Sequence, residues 1–197
     1  AASTGLGVLA RLAQYLANRS LWLDEAYLAL NVLGRDASGL LRPLDDNQIA
    51  PPGFLWAVKA ATLALGSDER ALRLVPLAGG VLAVLLTWKV ARRALGRDAA
   101  LLATAITAWS QPLIYYSSEL KPYATDALAA LAAYALCLPS VTEPGAVARA
   151  PSARRVAALG VAGALLPWLS YPATFVLAGC AAAMLWTPLV GRRRRDM

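Results

Sequence analysis

Residues 71–91 read ALRLVPLAGGVLAVLLTWKVA, a run in which only Arg73 and Lys89, near its two ends, are charged. A helix needs about 20 mostly apolar residues to cross the hydrocarbon core of a bilayer. Residues 4–18 are typical of the end of a preceding helix. Other apolar runs lie at 99–116, 123–139, 154–170 and 173–190. None alternates strictly as a barrel strand does. We therefore predict an all-α, polytopic membrane protein with about six transmembrane helices.

The composition agrees with a membrane protein and excludes several other classes. Of the 197 residues, 58% are hydrophobic and 16% are charged, and the net charge is +7. The basic residues fall mainly between apolar runs and not along one exposed face, which argues against nucleic-acid binding. The absence of histidine excludes histidine metal sites and Ser-His-Asp triads and leaves carboxylates as proton acceptors.

The segment 52–65, PGFLWAVKAATLAL, decides the topology of the remaining helices. It follows Pro51, which suits a helix start, and it ends before Gly66. About 14 residues with Lys59 in the middle are too few to span a bilayer comfortably. We expect this helix to lie in the outer interface, with Trp56 and Lys59 at the level of the headgroups.

Charge asymmetry then orients the chain. If 52–65 does not cross, one side carries 11 basic and 3 acidic residues and the other carries 7 basic and 9 acidic residues. The positive-inside rule makes the Arg-rich side, which includes 149–155 and 192–195, cytoplasmic. We predict a multi-pass protein of the cytoplasmic membrane in contact with membrane lipids. The acidic clusters described next would face the extracytoplasmic side.

An acidic pair, Asp24 and Glu25, interrupts the apolar segment SLWLDEAYLAL at 20–30. A carboxylate among apolar residues of a membrane protein costs free energy, and such residues are usually functional. The pair is therefore a candidate for catalysis. The structural alternative is that Asp24 caps a helix beginning near Ala26, because Asp is a favoured N-cap residue.

A second polar cluster, ELKPYATD, occupies 119–126. Its proline suits the first turn of the next helix and would bring Lys121, Tyr123 and Asp126 to the outer end of that helix. Lys121 offers a cation to a phosphate group. The alternative is that Glu119 and Lys121 are ordinary interfacial charges.

Three motifs in this order make the chain resemble a known superfamily. They are SLWLDEAYLALNVL, QIAPPGFLWAVKAATLALGSDERALRLVPLAGG and YYSSELKPYATDALAAL. The chain resembles the GT-C superfamily of polyprenyl-phosphate-dependent glycosyltransferases, and within it the protein O-mannosyltransferase and aminoarabinose-transferase type. The resemblance implies that 1–197 is the amino-terminal part of a GT-C-like transmembrane domain, with a first external loop at 19–69 and helices at 70–191.

The resemblance also implies roles for the acidic residues. The essential Asp of the family's first external loop corresponds to Asp24, with Glu25 beside it. In an inverting transfer this carboxylate takes the proton of the acceptor hydroxyl while polyprenyl phosphate leaves. Asp126 corresponds to an active-site acid of the aminoarabinose-transferase branch. The implied donor is a polyprenyl-phosphate-linked sugar, and the acceptor is not identified by the sequence. Asp24 with Glu25 or Asp126 could share a divalent ion, but the resemblance implies a metal-independent enzyme, so we expect no metal and no cofactor.

Donor binding requires positive charge on the outer face to hold the lipid phosphate. The candidates are Lys59, Arg70, Arg73 and Lys121. Relatives of the aminoarabinose branch have a lysine directly before the Pro-Pro pair, where this chain has Ala50. The remaining predicted substrate contacts are Glu119, Tyr123 and Tyr171, of which Tyr171 is explained equally well by an aromatic belt.

Two other classes of function are compatible with the sequence. One is a GT-C-like protein without catalysis that binds lipid as a scaffold or as a subunit of a polysaccharide assembly. The other is a lipid or ion transporter in which the carboxylates are pathway charges. A transporter places such charges near the middle of the membrane, whereas here they gather at one surface. The arrangement favours the transferase.

Overall fold

The computed structural model describes residues 2–138 and 152–193, which form helices and contain no strand. The α-helices are α1 (Ala2–Leu16), α2 (Leu23–Gly34), α3 (Pro52–Leu65), α4 (Glu69–Leu95), α5 (Arg97–Trp109), α6 (Gln111–Tyr115), α7 (Tyr123–Cys137), α8 (Ala153–Leu169) and α9 (Ala173–Arg193). Short 3-10 turns cover Gly39–Leu41 and Tyr116–Ser118. The all-α prediction is confirmed for these residues. Residue 139, at the end of a predicted run, and parts of the Arg-rich segments 149–155 and 192–195 lie outside them.

Helix α4 is the centre of the packing. It contacts α1, α3, α5 and α7, while α8 and α9 pack against α7. Two glycines of α4 allow close approach. A Cβ at Gly79 would lie 3.1 Å from the backbone of Ala124, and a Cβ at Gly80 would overlap the side chain of Ser117. The segment that carries the second polar cluster is therefore seated directly on α4.

Among the described residues, one helix has the length and composition of a membrane span. It covers Glu69–Ala94, 26 residues within α4, and includes the whole of the predicted run 71–91. The apolar helices at Pro52–Leu65, Tyr123–Cys137, Val156–Leu169 and Ala173–Met184 are shorter. The number of crossings therefore stays a prediction.

The predicted run 99–116 is not one helix, which corrects the sequence interpretation. Helix α5 ends at Trp109, Ser110 is extended with ψ 110°, and α6 begins at Gln111. The physical reason is Pro112, which has no backbone N–H to donate to the carbonyl four residues before it. That carbonyl belongs to Ala108 and needs another donor.

A buried arginine of α1 supplies this donor. Arg11 is 1% exposed. Its Nη1 donates to the carbonyl of Ala108 at 3.1 Å, and its Nη2 donates to the carbonyl of Thr107 at 3.0 Å. The guanidinium group thus satisfies the open end of α5, where the negative end of the helix dipole also favours a cation.

The segment between α1 and α4 forms its own apolar core against the start of α4. Helix α3 has the predicted bounds, and Gly66 ends it with a positive φ of 101°. Phe54 and Val58 of α3 pack with Leu28 and Val32 of α2, and all four are fully buried. This core holds α2, and therefore the acidic pair, on the protein.

Helix α2 begins at Leu23, three residues before the predicted Ala26. Its N-cap is Trp22, whose backbone N–H donates to the Glu25 carboxylate at 3.1 Å. This side-chain acceptor three residues into the helix extends the helix toward the N-terminus. The interpretation of Asp24 as the N-cap is therefore wrong.

Candidate active site

The two members of the acidic pair lie in different environments. The side chain of Asp24 is 74% exposed, whereas that of Glu25 is 1% exposed. Successive residues of a helix point about 100° apart, so one carboxylate faces outward while its neighbour faces the core. Asp24 is accordingly the member of the pair that a substrate can reach.

Glu25 forms a buried ion pair with Arg73 of α4. Arg73 donates from Nε to Oε1 at 2.9 Å and from Nη2 to Oε2 at 2.8 Å. The backbone N–H of Leu120 also donates to Oε1, at 2.7 Å. Burial alone would raise the pKa of Glu25, but the hydrogen bonds from Arg73, Leu120 and Trp22 outweigh it and lower the pKa. Glu25 is therefore held as a carboxylate.

Arg73 also binds the chain that leads from α1 to α2. Its Nη1 donates to the carbonyl of Arg19 at 2.5 Å, and its Nη2 donates to the carbonyl of Ser20 at 3.3 Å. All of the hydrogen-bond partners of Arg73 are therefore groups of the protein itself. Glu25 and Arg73 together connect α4, the entry to α2 and the 116–122 segment.

Asp24 lies beside the second polar cluster. Its Oδ2 is 3.5 Å from Nζ of Lys121, whose side chain is only 12% exposed. The same Nζ donates to Oε1 of Gln48 at 2.8 Å. Lys121 thus joins α2, the segment before α3 and the 116–122 segment. An exposed carboxylate next to a largely buried cation is an arrangement suited to proton transfer beside an anionic group.

Arg19 and Glu119 form a further pair at this site. Nη2 of Arg19 is 3.7 Å from Oε1 of Glu119, and the Arg19 guanidinium carbon lies 4.0 Å from the ring centroid of Tyr115. Burial raises the pKa of Glu119, the Glu25 charge adds to this effect, and Tyr115, Arg19 and Lys121 oppose it. Glu119 thus binds a proton more readily than a glutamate in water does.

Tyrosines continue the site toward α7. The rings of Tyr115 and Tyr116 lie 5.4 Å apart, and those of Tyr116 and Tyr123 lie 4.7 Å apart, both edge to face. Tyr123 is 48% exposed. In the first turn of α7, Asp126 interacts with the hydroxyl group of Ser170, while its buried Oδ1 has no hydrogen-bond partner. An unpaired buried acceptor is unusual and fits a site for a hydroxyl group.

Three other predicted substrate contacts lie elsewhere. Nζ of Lys59 donates to the carbonyls of Val32 and Leu33, at 3.0 and 3.2 Å, and so closes the C-terminus of α2. Arg70 is exposed on α4. Tyr171 donates to the carbonyl of Ala50 at 3.3 Å. Within the described part of the chain, the structure gives none of the three a hydrogen bond or ion pair to the group around Asp24.

Sequence reasoning missed Arg19 and Gln48. Arg19 carries a usable signal, since it is a cation between the first helix and the acidic pair, five residues before Asp24. Gln48 carries no local signal, because its function depends on a lysine 73 residues away. Within residues 2–138 and 152–193, the structure contains no group of three or more carboxylates or thiols arranged as metal ligands.

Comparison with known proteins identifies the family. The family model described as dolichyl-phosphate-mannose-protein mannosyltransferase matches residues 50–196. The match includes Arg73, Lys121 and Asp126, whereas Asp24 and Glu25 precede it. No curated protein and no solved structure matches the chain. The family consists of membrane glycosyltransferases of the GT-C type, so the resemblance seen in the sequence is confirmed. The chain belongs to the dolichyl-phosphate-mannose-protein mannosyltransferase family.

Proposed function

We propose that this chain is the amino-terminal part of an enzyme of the cytoplasmic membrane that transfers one sugar from a polyprenyl-phosphate carrier to an acceptor hydroxyl group. Family membership supports glycosyl transfer from a lipid-phosphate-linked donor. The observation that carries the site is the exposed Asp24 carboxylate, 3.5 Å from the largely buried Nζ of Lys121. The exposed carboxylate can serve as the base, and the adjacent lysine can hold and orient it.

In the proposed reaction, Asp24 is the general base. Asp24 takes the proton of the acceptor hydroxyl as its oxygen forms a bond to the anomeric carbon. The bond from that carbon to the phosphate oxygen breaks, and polyprenyl phosphate leaves with the electron pair. Attack opposite to the leaving group inverts the anomeric configuration. A cation near the phosphate stabilises the charge that develops there.

Glu25 and Arg73 act through Asp24 in this proposal. Their two-point ion pair anchors the first turn of α2 to α4. Catalytic groups need to be held within a fraction of an ångström by supporting hydrogen bonds. The sequence placed Glu25 among the catalytic residues and Arg73 among the donor contacts, and the geometry supports a positioning function for both.

The sugar would lie between the tyrosines and α7. Tyr123 offers an aromatic face, and the unpaired Oδ1 of Asp126 offers an acceptor for a sugar hydroxyl. Glu119, four residues before Tyr123 and 3.7 Å from Arg19, is a further candidate contact. Tyr171 remains a candidate contact for a longer acceptor, since it is 46% exposed on the turn between α8 and α9.

The charge distribution supports an extracytoplasmic site. Glu69, at one end of α4, adjoins the segment that carries the candidate site, while Arg92 and Arg93 lie in the last turn at the other end. A helix of 27 residues is about 40 Å long, which separates the two ends by more than a bilayer core. The positive-inside rule puts the arginine end in the cytoplasm.

The test is the substitution Asp24→Asn in the purified full-length protein, assayed with a short-chain polyprenyl-phosphate sugar. Asparagine keeps the size and removes the proton acceptor, so turnover should fall by roughly 100-fold or more. Asp46→Asn is the matched control, because Asp46 is exposed in the same external segment and its φ of 55° suits asparagine. Equal turnover in Asp24→Asn and the unmodified protein would refute the proposal for Asp24.

The same assay distinguishes the enzyme from a scaffold. A scaffold would bind the polyprenyl-phosphate sugar without transferring it to any acceptor, even in the unmodified protein. Transfer of labelled sugar to an acceptor, lost in Asp24→Asn and kept in Asp46→Asn, supports the glycosyltransferase.

A further inference from the structure

Two arginines near the candidate site differ in whether the Nε–Nη2 edge of the guanidinium group has hydrogen-bond partners. In Arg73, Nε and Nη2 each donate to one carboxylate oxygen of Glu25. In Arg19, Nε and Nη2 are both buried and neither has a hydrogen-bond partner. This edge carries two parallel N–H groups and matches two oxygens of one carboxylate or phosphate group. The protein therefore holds one such edge paired with a carboxylate and one buried without a hydrogen-bond partner.

Arg19 is fixed in place although this edge has no hydrogen-bond partner. Its backbone carbonyl accepts from Arg73, and its guanidinium group stacks on the ring of Tyr115 at 4.0 Å. The preceding residue, Asn18, has a φ of 42°, a left-handed conformation that asparagine tolerates. Stacking uses the face of the guanidinium group, so it does not engage the N–H groups that lie in the plane.

Four other cations in and around the candidate site are already engaged. Lys59 closes α2, Arg73 binds Glu25, and Lys121 binds Gln48 and Asp24. Arg35 lies 2.8 Å from Asp45 and also donates to two backbone carbonyls. Arg19 has only a long contact of 3.7 Å to Glu119. Among these cations, Arg19 is thus the one with N–H groups left to bind an anion.

We propose that Arg19 binds the phosphate group of the lipid carrier through Nε and Nη2. This inference rests on the proposed function and assigns its phosphate contact to a residue other than the four cations expected from the sequence. Glu119 is the nearest carboxylate and has to move away when the phosphate enters, since both would occupy the same side of Arg19. The ligand is a phosphate ester at the end of an isoprenoid chain.

The experiment measures binding of a short-chain prenyl phosphate to the purified full-length protein in nanodiscs of neutral lipid. Arg19→Gln should weaken binding by about 10- to 100-fold, the effect of a two-point charge-assisted hydrogen bond. Arg19→Lys keeps the charge but not the two-point edge and should recover only part of this loss. Glu119→Gln removes the competing charge and should strengthen binding. Arg42→Gln, at an exposed position of the same external segment, should have no effect.

Further ligands identify the source of the phosphate. The corresponding prenyl alcohol tests the need for phosphate, inorganic phosphate tests the need for the chain, and nanodiscs with anionic phospholipid test a headgroup. Only the prenyl phosphate should depend on Arg19. Equal dependence for inorganic phosphate or for anionic phospholipid would overturn the assignment to the lipid carrier.

The outcomes separate this inference from the proposed function. If the unmodified protein binds prenyl phosphate no better than prenyl alcohol, the proposed function fails. If the unmodified protein prefers prenyl phosphate, and Arg19→Gln or Arg19→Lys binds prenyl phosphate as tightly as the unmodified protein does, only the inference about Arg19 fails. Should Arg19→Gln not fold, Tyr115→Leu removes the stacking platform and should weaken the same binding, and unchanged affinity in that variant would overturn the inference.

Discussion

Arg73 and Glu25 are joined by two hydrogen bonds of 2.9 and 2.8 Å in the interior of the protein, although 48 residues separate them. The same guanidinium group binds the carbonyls of Arg19 and Ser20. One buried pair thus fixes the turn before α2, the first turn of α2 and the start of α4. The exposed Asp24 is held in position by a neighbour that a substrate does not reach.

Glu25→Gln should destabilise the protein. Breaking a buried ion pair by removing one charge typically costs about 3 to 5 kcal/mol, because the other charge stays buried without a partner. The free energy of unfolding in denaturant, measured in detergent micelles, provides the test. Glu25→Gln combined with Arg73→Met should be more stable than Glu25→Gln alone. A single variant as stable as the unmodified protein would contradict the importance of the pair.

Acid should remove the contribution of Glu25. Hydrogen bonds lower its pKa below the ordinary value of about 4.3, so the folded protein prefers the ionised form. The stabilisation is complete above the ordinary pKa and is lost as the pH falls through the pKa of the folded state. The difference in melting temperature between the unmodified protein and Glu25→Gln should therefore shrink between about pH 5 and pH 3. A constant difference over this range would exclude a lowered pKa.

Local signals explain which parts of the fold the sequence predicted. Helix α3 has the expected bounds because Pro51 and Gly66 act within the segment itself. The division of 99–116 was missed because a proline within an apolar run can also produce a simple kink. Arg11, which lies 97 residues before Ala108 and satisfies its carbonyl, shows that the chain stabilises a true break.

The sequence predicted which residues belong to the candidate site better than it predicted their contacts with one another. Asp24, Lys121 and Glu119 lie together as the two polar motifs implied. The different fates of Asp24 and Glu25 depend on Arg73, a partner that the local sequence does not reveal. Lys59 was expected at the level of the lipid headgroups. The sequence could not predict its hydrogen bonds to the end of α2, because they join two helices that are separate in the chain.

Single cysteines should report the orientation of the chain. Asp46→Cys should react with an impermeant thiol reagent added outside intact cells, and Asp98→Cys should react only after the membrane is permeabilised. Both positions are exposed, whereas the native Cys137 and Cys180 are buried and give little background. The reverse labelling pattern would place the candidate site in the cytoplasm and contradict the orientation.

Arg11→Met should weaken the junction between α5 and α6. The substitution leaves the buried carbonyl of Ala108 and the partly buried carbonyl of Thr107 without their donor, at a cost of about 2 to 5 kcal/mol for the two groups. Thermal unfolding of the purified protein measures the loss. Arg97→Met, at an exposed position of α5, is the control and should change stability by less than about 0.5 kcal/mol. Equal stabilities of the two variants would mean that Arg11 does not hold the end of α5.

Asp24 and Lys121 should act as a unit in turnover. If Lys121 serves mainly to hold and orient the Asp24 carboxylate, Lys121→Gln should lower turnover by about 10-fold in the unmodified protein and have little further effect in Asp24→Asn. Initial rates with a short-chain polyprenyl-phosphate sugar give all four corners of this double-mutant cycle. Losses that multiply independently would instead show that Lys121 contacts the leaving phosphate directly. A raised KM for the donor in both Lys121→Gln backgrounds would support that direct contact, because the contact does not require the Asp24 carboxylate.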